Sequence, residues 1–195
     1  MKEPELKITQ RMLPHWEYDG SIYFITFNTW QRLELSSLAQ QVVFDASLFF
    51  NSQRYDLFAL VVMPDHVHML IQPLPKTEDE YWSLSSIMHS LKGYSAKQIP
   101  KVMPHIGTVW QPERYDHIVR SDRAFTTIWQ YIRQNPVKAK LANTPDSYPF
   151  LWQKGHDECS ETFRNWPMRL HQSSLPINNA TLKTLMQELG NECSR

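Results

Sequence analysis

The sequence predicts an α+β fold in which helices pack on a single antiparallel sheet, and three observations carry that prediction. Stretches of strand and helix periodicity follow one another in the order β-α-β-β-α-β-α. The link Pro64-Asp65 joins two apolar runs and is too short for a parallel crossover, so the runs it joins form an antiparallel hairpin. A chain of 195 residues, 42% of them hydrophobic, is long enough to bury one full core.

The elements are read in chain order. Residues 1–20 are polar and irregular, and Lys2, Lys7, Arg11 and His15 form either a basic arm or a frayed terminus. Residues 21–28 are rich in β-branched and aromatic side chains and give the first strand. Ser36 and Ser37 offer an N-cap for a helix over about residues 38–53. Its apolar side runs through Leu38, Val42, Asp45 and Phe49, with Val43, Ala46 and Phe50 on the flank. Residues 55–63 and 66–72 are the second and third strands. Residues 73–80 are a polar loop. The next helix covers about residues 83–97, with Leu84, Ile87, Met88 and Leu91 as its buried stripe.

Residues 100–112 read as a loop, in which Trp110 is assigned to the core rather than to base stacking. Residues 114–120 are the fourth strand; Tyr115, His117 and Val119 share one face, and His117 is read as structural. Ser121-Asp122 caps a helix that reaches about residue 134, with Phe125, Ile128, Trp129 and Ile132 on its apolar side. Pro136 biases Asn135 away from helical geometry and is expected to end or bend it. Residues 143–180 look mostly irregular and residues 181–189 form a short terminal helix. The expected division is a catalytic domain over residues 1–142 and a C-terminal extension over residues 143–195 packed on it. Trp152, Phe163, Trp166, Leu170 and Leu185 are the expected anchors of that extension.

Composition narrows the class. No apolar run approaches membrane-spanning length and no leader-like segment is visible, so a cytoplasmic protein without membrane contact is expected. Two cysteines, Cys159 and Cys193, do not suggest a disulfide framework. Zero net charge argues mildly against nucleic-acid binding. The charge is unevenly spread, however. Between Trp110 and Leu141, Arg114, Arg120, Arg123, Arg133, Lys138 and Lys140 outnumber Glu113, Asp116 and Asp122, while acidic residues gather at 78–80 and 157–158. A locally basic face on a neutral protein can still hold backbone phosphates.

Two stretches carry chemistry. In a strand, alternate side chains share a face, so His66 and His68 point the same way and form a workable ligand pair for a divalent metal. Alone, the pair is better explained by two surface histidines on a half-exposed strand. Tyr131 and Asn135 lie four residues apart on one helix face, which puts a phenol and an amide together near the helix end. Alone, that pair is an ordinary core tyrosine followed by an Asn-Pro stop.

Together, Met63-Pro64-Asp65-His66-Val67-His68, Trp110-Gln111, Tyr115 through Arg120 and Tyr131 through Leu141 resemble the HUH (His-hydrophobic-His) single-tyrosine transposases. Among these the sequence is most similar to the REP-associated tyrosine transposases, over roughly residues 15–155. Asp65 stands where that family usually has Asn and adds a negative charge near a site that must accept phosphate; Lys140 stands where a Gly often closes the helix.

The resemblance implies a ferredoxin-like sheet, the HUH endonuclease fold, with His66 and His68 on a central strand facing the helix of Tyr131. It implies Tyr131 as the nucleophile on single-stranded DNA next to a hairpin, leaving a 5′-phosphotyrosine and a free 3′-hydroxyl. It implies a metal held by His66, His68 and Asn135. Mg²⁺ prefers oxygen ligands, so two imidazoles also suit Mn²⁺. It points to Lys92 and Lys97 as phosphate contacts, which Arg114, Arg120, Arg123 and Lys138 extend on the basic stretch. A monomer is expected, with a dimer as the alternative.

Two other classes compete. A catalytically dormant DNA-binding regulator on the same fold is opposed by the intact His66, His68, Tyr131 and Asn135. A metal-dependent RNA or small-molecule phosphodiesterase using water gives Tyr131 no purpose.

Overall fold

The computed structural model describes residues 6–10 and 14–155. Strands β3 (Ile22–Asn28), β4 (Tyr55–Val62), β5 (His66–Pro73) and β6 (Tyr115–Val119) form the centre of an antiparallel sheet ordered β6-β3-β5-β4, with β7 (Leu151–Gln153) added beyond β4. Helix α1 (Ser37–Phe49) links β3 to β4 and helix α2 (Leu84–Val102) links β5 to β6. In both units the joined strands are separated in space by one other strand, the interleaved βαβ layout of a ferredoxin-like sheet. Helix α3 (Asp122–Lys138) follows β6.

The sheet is covered on both faces. One face carries Tyr23, Ile25, Phe27, Val67, Met69 and Ile71, all buried. Phe27 meets Trp110 edge-on at 5.0 Å, and Trp110 donates its indole N–H to Ser95 Oγ of α2. Trp110 is therefore core. The other face carries Phe24, Thr26, His66 and His68 and is packed by α3, where Phe125 meets Phe58 of β4 and Tyr131 meets Phe24. The expected α3 stripe of Phe125, Ile128, Trp129 and Ile132 is buried throughout.

Several boundaries differ from the sequence reading. The N-terminal stretch holds a hairpin, β1 (Leu6–Gln10) with β2 (Pro14–Tyr18), instead of irregular chain. The buried side of α1 is Ala39, Val43, Ala46 and Ser47, whereas Leu38 and Phe49 are largely exposed. The buried side lies on the flank of the stripe expected from the sequence, at Val43 and Ala46, because Leu38 and Phe49 are the large side chains that face out. α2 runs on through Pro100, and α3 runs on through Pro136 to Lys138. Proline removes one donor from a helix and is disfavoured inside it, yet both helices continue past it, with Pro136 buried and Pro100 exposed.

α3 closes with Lys140 in the left-handed region at φ 59°. Lys140 N–H donates to Val137 C=O and Leu141 N–H to Pro136 C=O, the paired bonds of a Schellman end. Glycine takes that conformation without a Cβ penalty. Lys140→Gly is expected to raise stability by about 1 kcal/mol in urea denaturation; an unchanged midpoint would show that the strain is negligible.

Residues 143–155 are partly regular, where mostly irregular chain is expected, and residues 156–180 lie outside the described residues. Tyr148 and Phe150 are buried, Tyr148 Oη donates to Val62 C=O and receives the Gln40 amide, and β7 pairs with β4, with Trp152 half-buried. Phe163, Trp166, Leu170, Leu185 and the expected terminal helix lie outside the described residues. Truncation after Asn143 is expected to cost at least about 3 kcal/mol, from two buried aromatics at about 1.5–3 kcal/mol each. It also exposes the edge of β4, so the product is expected to aggregate. A soluble truncated monomer of parental stability in sedimentation and melting would contradict this. No helix among the described residues is long and apolar enough to cross a membrane.

Candidate active site

His66 and His68 sit on β5, at the centre of the sheet, opposite Asn28 and Thr26 of β3. Their rings lie 4.8 Å apart on the face covered by α3, and both are nearly inaccessible to solvent. Thr26 Oγ1 is 2.8 Å from His68 Nδ1. His66 Nδ1 is 2.6 Å from Asp65 Oδ1. Each ring is thus held through Nδ1. With the proton on Nδ1, both lone pairs lie on Nε2, as in a metal-ligating histidine fixed by an outer partner.

α3 brings Tyr131 to the same place. Its hydroxyl lies 3.3 Å from His68 Nε2, its ring is 5.2 Å from the His68 ring, and Phe24 packs edge-on against it at 6.0 Å. Asn135, one helical turn further, is buried on α3. The Lys138 ammonium lies 5.4 Å from the centre of the Tyr131 ring. The helix thus brings the phenol to His68, with a cation beside its ring and a buried amide one turn further on.

The electrostatics follow from burial. Burial holds His68 neutral, well below the ordinary histidine range; the neighbouring His66 adds to this and Asp65 opposes it. His117 on β6 is also lowered by burial, with Arg120 contributing. Asp65 is held down to about 2, first by the hydrogen bond from His66, with Arg32 contributing and burial working against it. The Arg32 guanidinium is 2.7 Å from Asp65 Oδ2, so the negative charge noted in the sequence is balanced within the protein.

The donor set fits a divalent ion. Neutral imidazole nitrogens and an amide oxygen are competent ligands without further deprotonation, and both imidazoles are already oriented through Nδ1. Among the described residues no three His, Cys, Asp or Glu side chains group as a metal site, so the donors here are two imidazoles and an amide.

The basic residues divide. Lys138 lies beside Tyr131, and Lys97 and Arg123 are exposed. Arg120 is half-buried, and burial lowers its pKa. Lys92 has different work. Its ammonium is 2.6 Å from Gln111 C=O, 3.4 Å from the carbonyls of Pro112 and Glu113, and lies over Phe27, on the face away from the histidines. Half-buried, it clamps the 103–114 loop to α2. Arg114 is buried between Glu17 at 3.6 Å and Asp116 at 3.4 Å, an internal ion pair and not an open contact. Thr26, Phe24 and Arg32 were missed by sequence reasoning. Their roles depend on strand pairing and loop closure, which no local pattern announces.

A family model described as transposase, IS200-like, matches residues 36–135. The chain is 26% identical to an Escherichia coli REP-associated tyrosine transposase over 136 residues, 67% of this chain and 75% of that protein. It is 27% identical over 105 residues to a Haemophilus influenzae protein provisionally named a REP-associated tyrosine transposase, covering 49% of this chain and 57% of its relative's length. In fold it is similar to a REP-associated tyrosine transposase solved with a bound REP hairpin, at a TM-score of 0.57 and 23% identity, over 68% of this chain and 76% of that one.

Proposed function

This chain belongs to the IS200-like transposase family, and on that premise we propose that it cuts and rejoins single-stranded DNA beside a hairpin through a 5′-phosphotyrosine at Tyr131. The observation that supports this reading is the Tyr131 hydroxyl lying 3.3 Å from His68 Nε2, on the face where His66 and His68 stand side by side. A phenol needs activation and a positioned target to act as nucleophile. Burial among Phe24, His68 and α3 fixes its position, and Lys138 places a positive charge beside its ring.

The reaction is a transesterification. The Tyr131 oxygen forms a bond to phosphorus, the bond from phosphorus to O3′ breaks, and the upstream strand leaves with a 3′-hydroxyl. The reverse attack by a 3′-hydroxyl rejoins strands and returns the phenol, so ATP is not required. When bound, Mg²⁺ or Mn²⁺ held by His66, His68 and the Asn135 amide oxygen supplies Lewis-acid polarisation of the scissile phosphate. Lys97, Arg120, Arg123 and Lys138 are the phosphate contacts in this reading, and the protein acts as a monomer. A hairpin substrate is supported by the REP hairpin bound to the solved relative.

The test uses a single-stranded hairpin oligonucleotide labelled at one end or the other, with Mn²⁺. The expected product is a denaturation-resistant adduct that retains the 3′-end label and releases the 5′-labelled fragment. Cleavage that leaves no protein-linked strand would instead favour water as nucleophile, and binding without cleavage would favour a dormant regulator.

A further inference from the structure

The tip of the β4–β5 hairpin is more heavily fixed than a two-residue turn requires. Thr29 donates both its N–H and its hydroxyl to Asp65 C=O, each at 2.9 Å, and Leu35 N–H donates to Pro64 C=O at 2.7 Å. Met63 N–H donates to His66 C=O at 2.8 Å. Gln31 and Arg32, in the loop that makes these contacts, both hold left-handed backbone, at φ 49° and 58°. Two consecutive non-glycine residues in that region persist only where surrounding contacts outweigh the cost, and such strain gathers at functional sites.

That loop delivers the Arg32 guanidinium to one oxygen of Asp65 at 2.7 Å, while the other oxygen accepts from His66 Nδ1 at 2.6 Å. Asp65 thus divides its two oxygens between a cation and the imidazole.

We propose that Asp65, held by Arg32, is the positioning residue that fixes the His66 ring and its Nδ1–H tautomer, so that the Nε2 lone pair is presented beside His68. Asp65 acts through His66 and touches no substrate. The proposal rests on the metal role given to His66 above, but its first readout does not need that role. The arrangement has the logic of a carboxylate behind a histidine ligand, where loss of the carboxylate typically lowers metal affinity 10–100-fold. Arg32 does not make this pair a stability device, because its side chain is 48% exposed and such ion pairs are screened by solvent.

The experiment uses the full chain and the variants Asp65→Asn, Asp65→Ala and Arg32→Gly. The glycine suits the left-handed backbone at that position while removing the side chain with its guanidinium. In the metal-free protein, long-range ¹H–¹⁵N spectra are expected to show one Nδ1–H tautomer for His66, lost to a tautomer mixture in Asp65→Ala. Mn²⁺ binding, followed by the electron paramagnetic resonance of the free ion, is expected to weaken roughly 10–100-fold in Asp65→Ala. Asp65→Asn and Arg32→Gly are expected to fall between it and the parent. A parental tautomer and parental Mn²⁺ affinity in Asp65→Ala would overturn the proposal. A parent that shows the single tautomer but binds no Mn²⁺ would instead overturn the metal site and leave the positioning of His66 supported.

Discussion

Replacing Tyr131 with Phe is expected to abolish the covalent protein–DNA adduct while leaving DNA binding near the parental level. The substitution removes one oxygen and keeps the ring that packs against Phe24 and His68. Loss of a nucleophile costs on the order of 10⁴–10⁶-fold in rate where it has been dissected in other enzymes, so the adduct falls below detection. The fold is expected to survive, since the packed ring is kept while the hydroxyl's 3.3 Å contact with His68 Nε2 is lost. The measurement is adduct formation on a hairpin with a single-stranded flank, with binding followed separately by anisotropy. Undiminished adduct in the variant would move the nucleophile elsewhere.

His68→Ala is expected to remove Mn²⁺ binding and adduct formation and also to destabilise the fold. The ring is fully enclosed, stacked 5.5 Å from Phe24, and joined to Thr26 and Tyr131. Truncation leaves a cavity and a buried hydroxyl without its partner, at a cost of about 2–4 kcal/mol at neutral pH. The size of that loss depends on pH in a defined direction. The folded protein holds His68 neutral, whereas the unfolded chain takes up the proton below about pH 6.5. The parent therefore loses stability as pH falls below that value, by up to about 1.4 kcal/mol per pH unit for this group. The variant lacks this loss, so its deficit relative to the parent is expected to narrow by about 1 kcal/mol between pH 6.5 and pH 5.5, where the unfolded histidine goes from half to almost fully protonated. Buried His117 adds the same dependence to both proteins and cancels in the difference. Urea denaturation of the metal-free proteins at the two pH values measures it. A deficit that stays constant or widens on acidification would mean that folded His68 is protonated.

The sequence alone determined what depends on neighbours along the chain. Alternation placed His66 and His68 on one face, the Pro64-Asp65 link made β4 and β5 a hairpin, and helical spacing put Asn135 one turn beyond Tyr131. The apolar side of α3 was legible because large side chains repeat at its helical period, whereas on α1 only Val43 and Ala46 of the buried side were, and the small or polar Ala39, Gln40 and Ser47 were not.

Tertiary structure decided the rest. Pairing β3 beside β5 set Thr26 against His68, and laying α3 on the histidine face carried the Tyr131 hydroxyl across 63 positions of sequence to His68. Closure of the Trp30–Arg32 turn on the hairpin tip turned Asp65 from an added charge into a paired one, and the fold enclosed Arg114, which the charge distribution had put on a basic face. The physical reason is range. Periodicity and turn chemistry act within about one helical turn or one strand, while strand order, helix placement and the partner of each buried polar group follow from packing and hydrogen-bond satisfaction summed over the whole core.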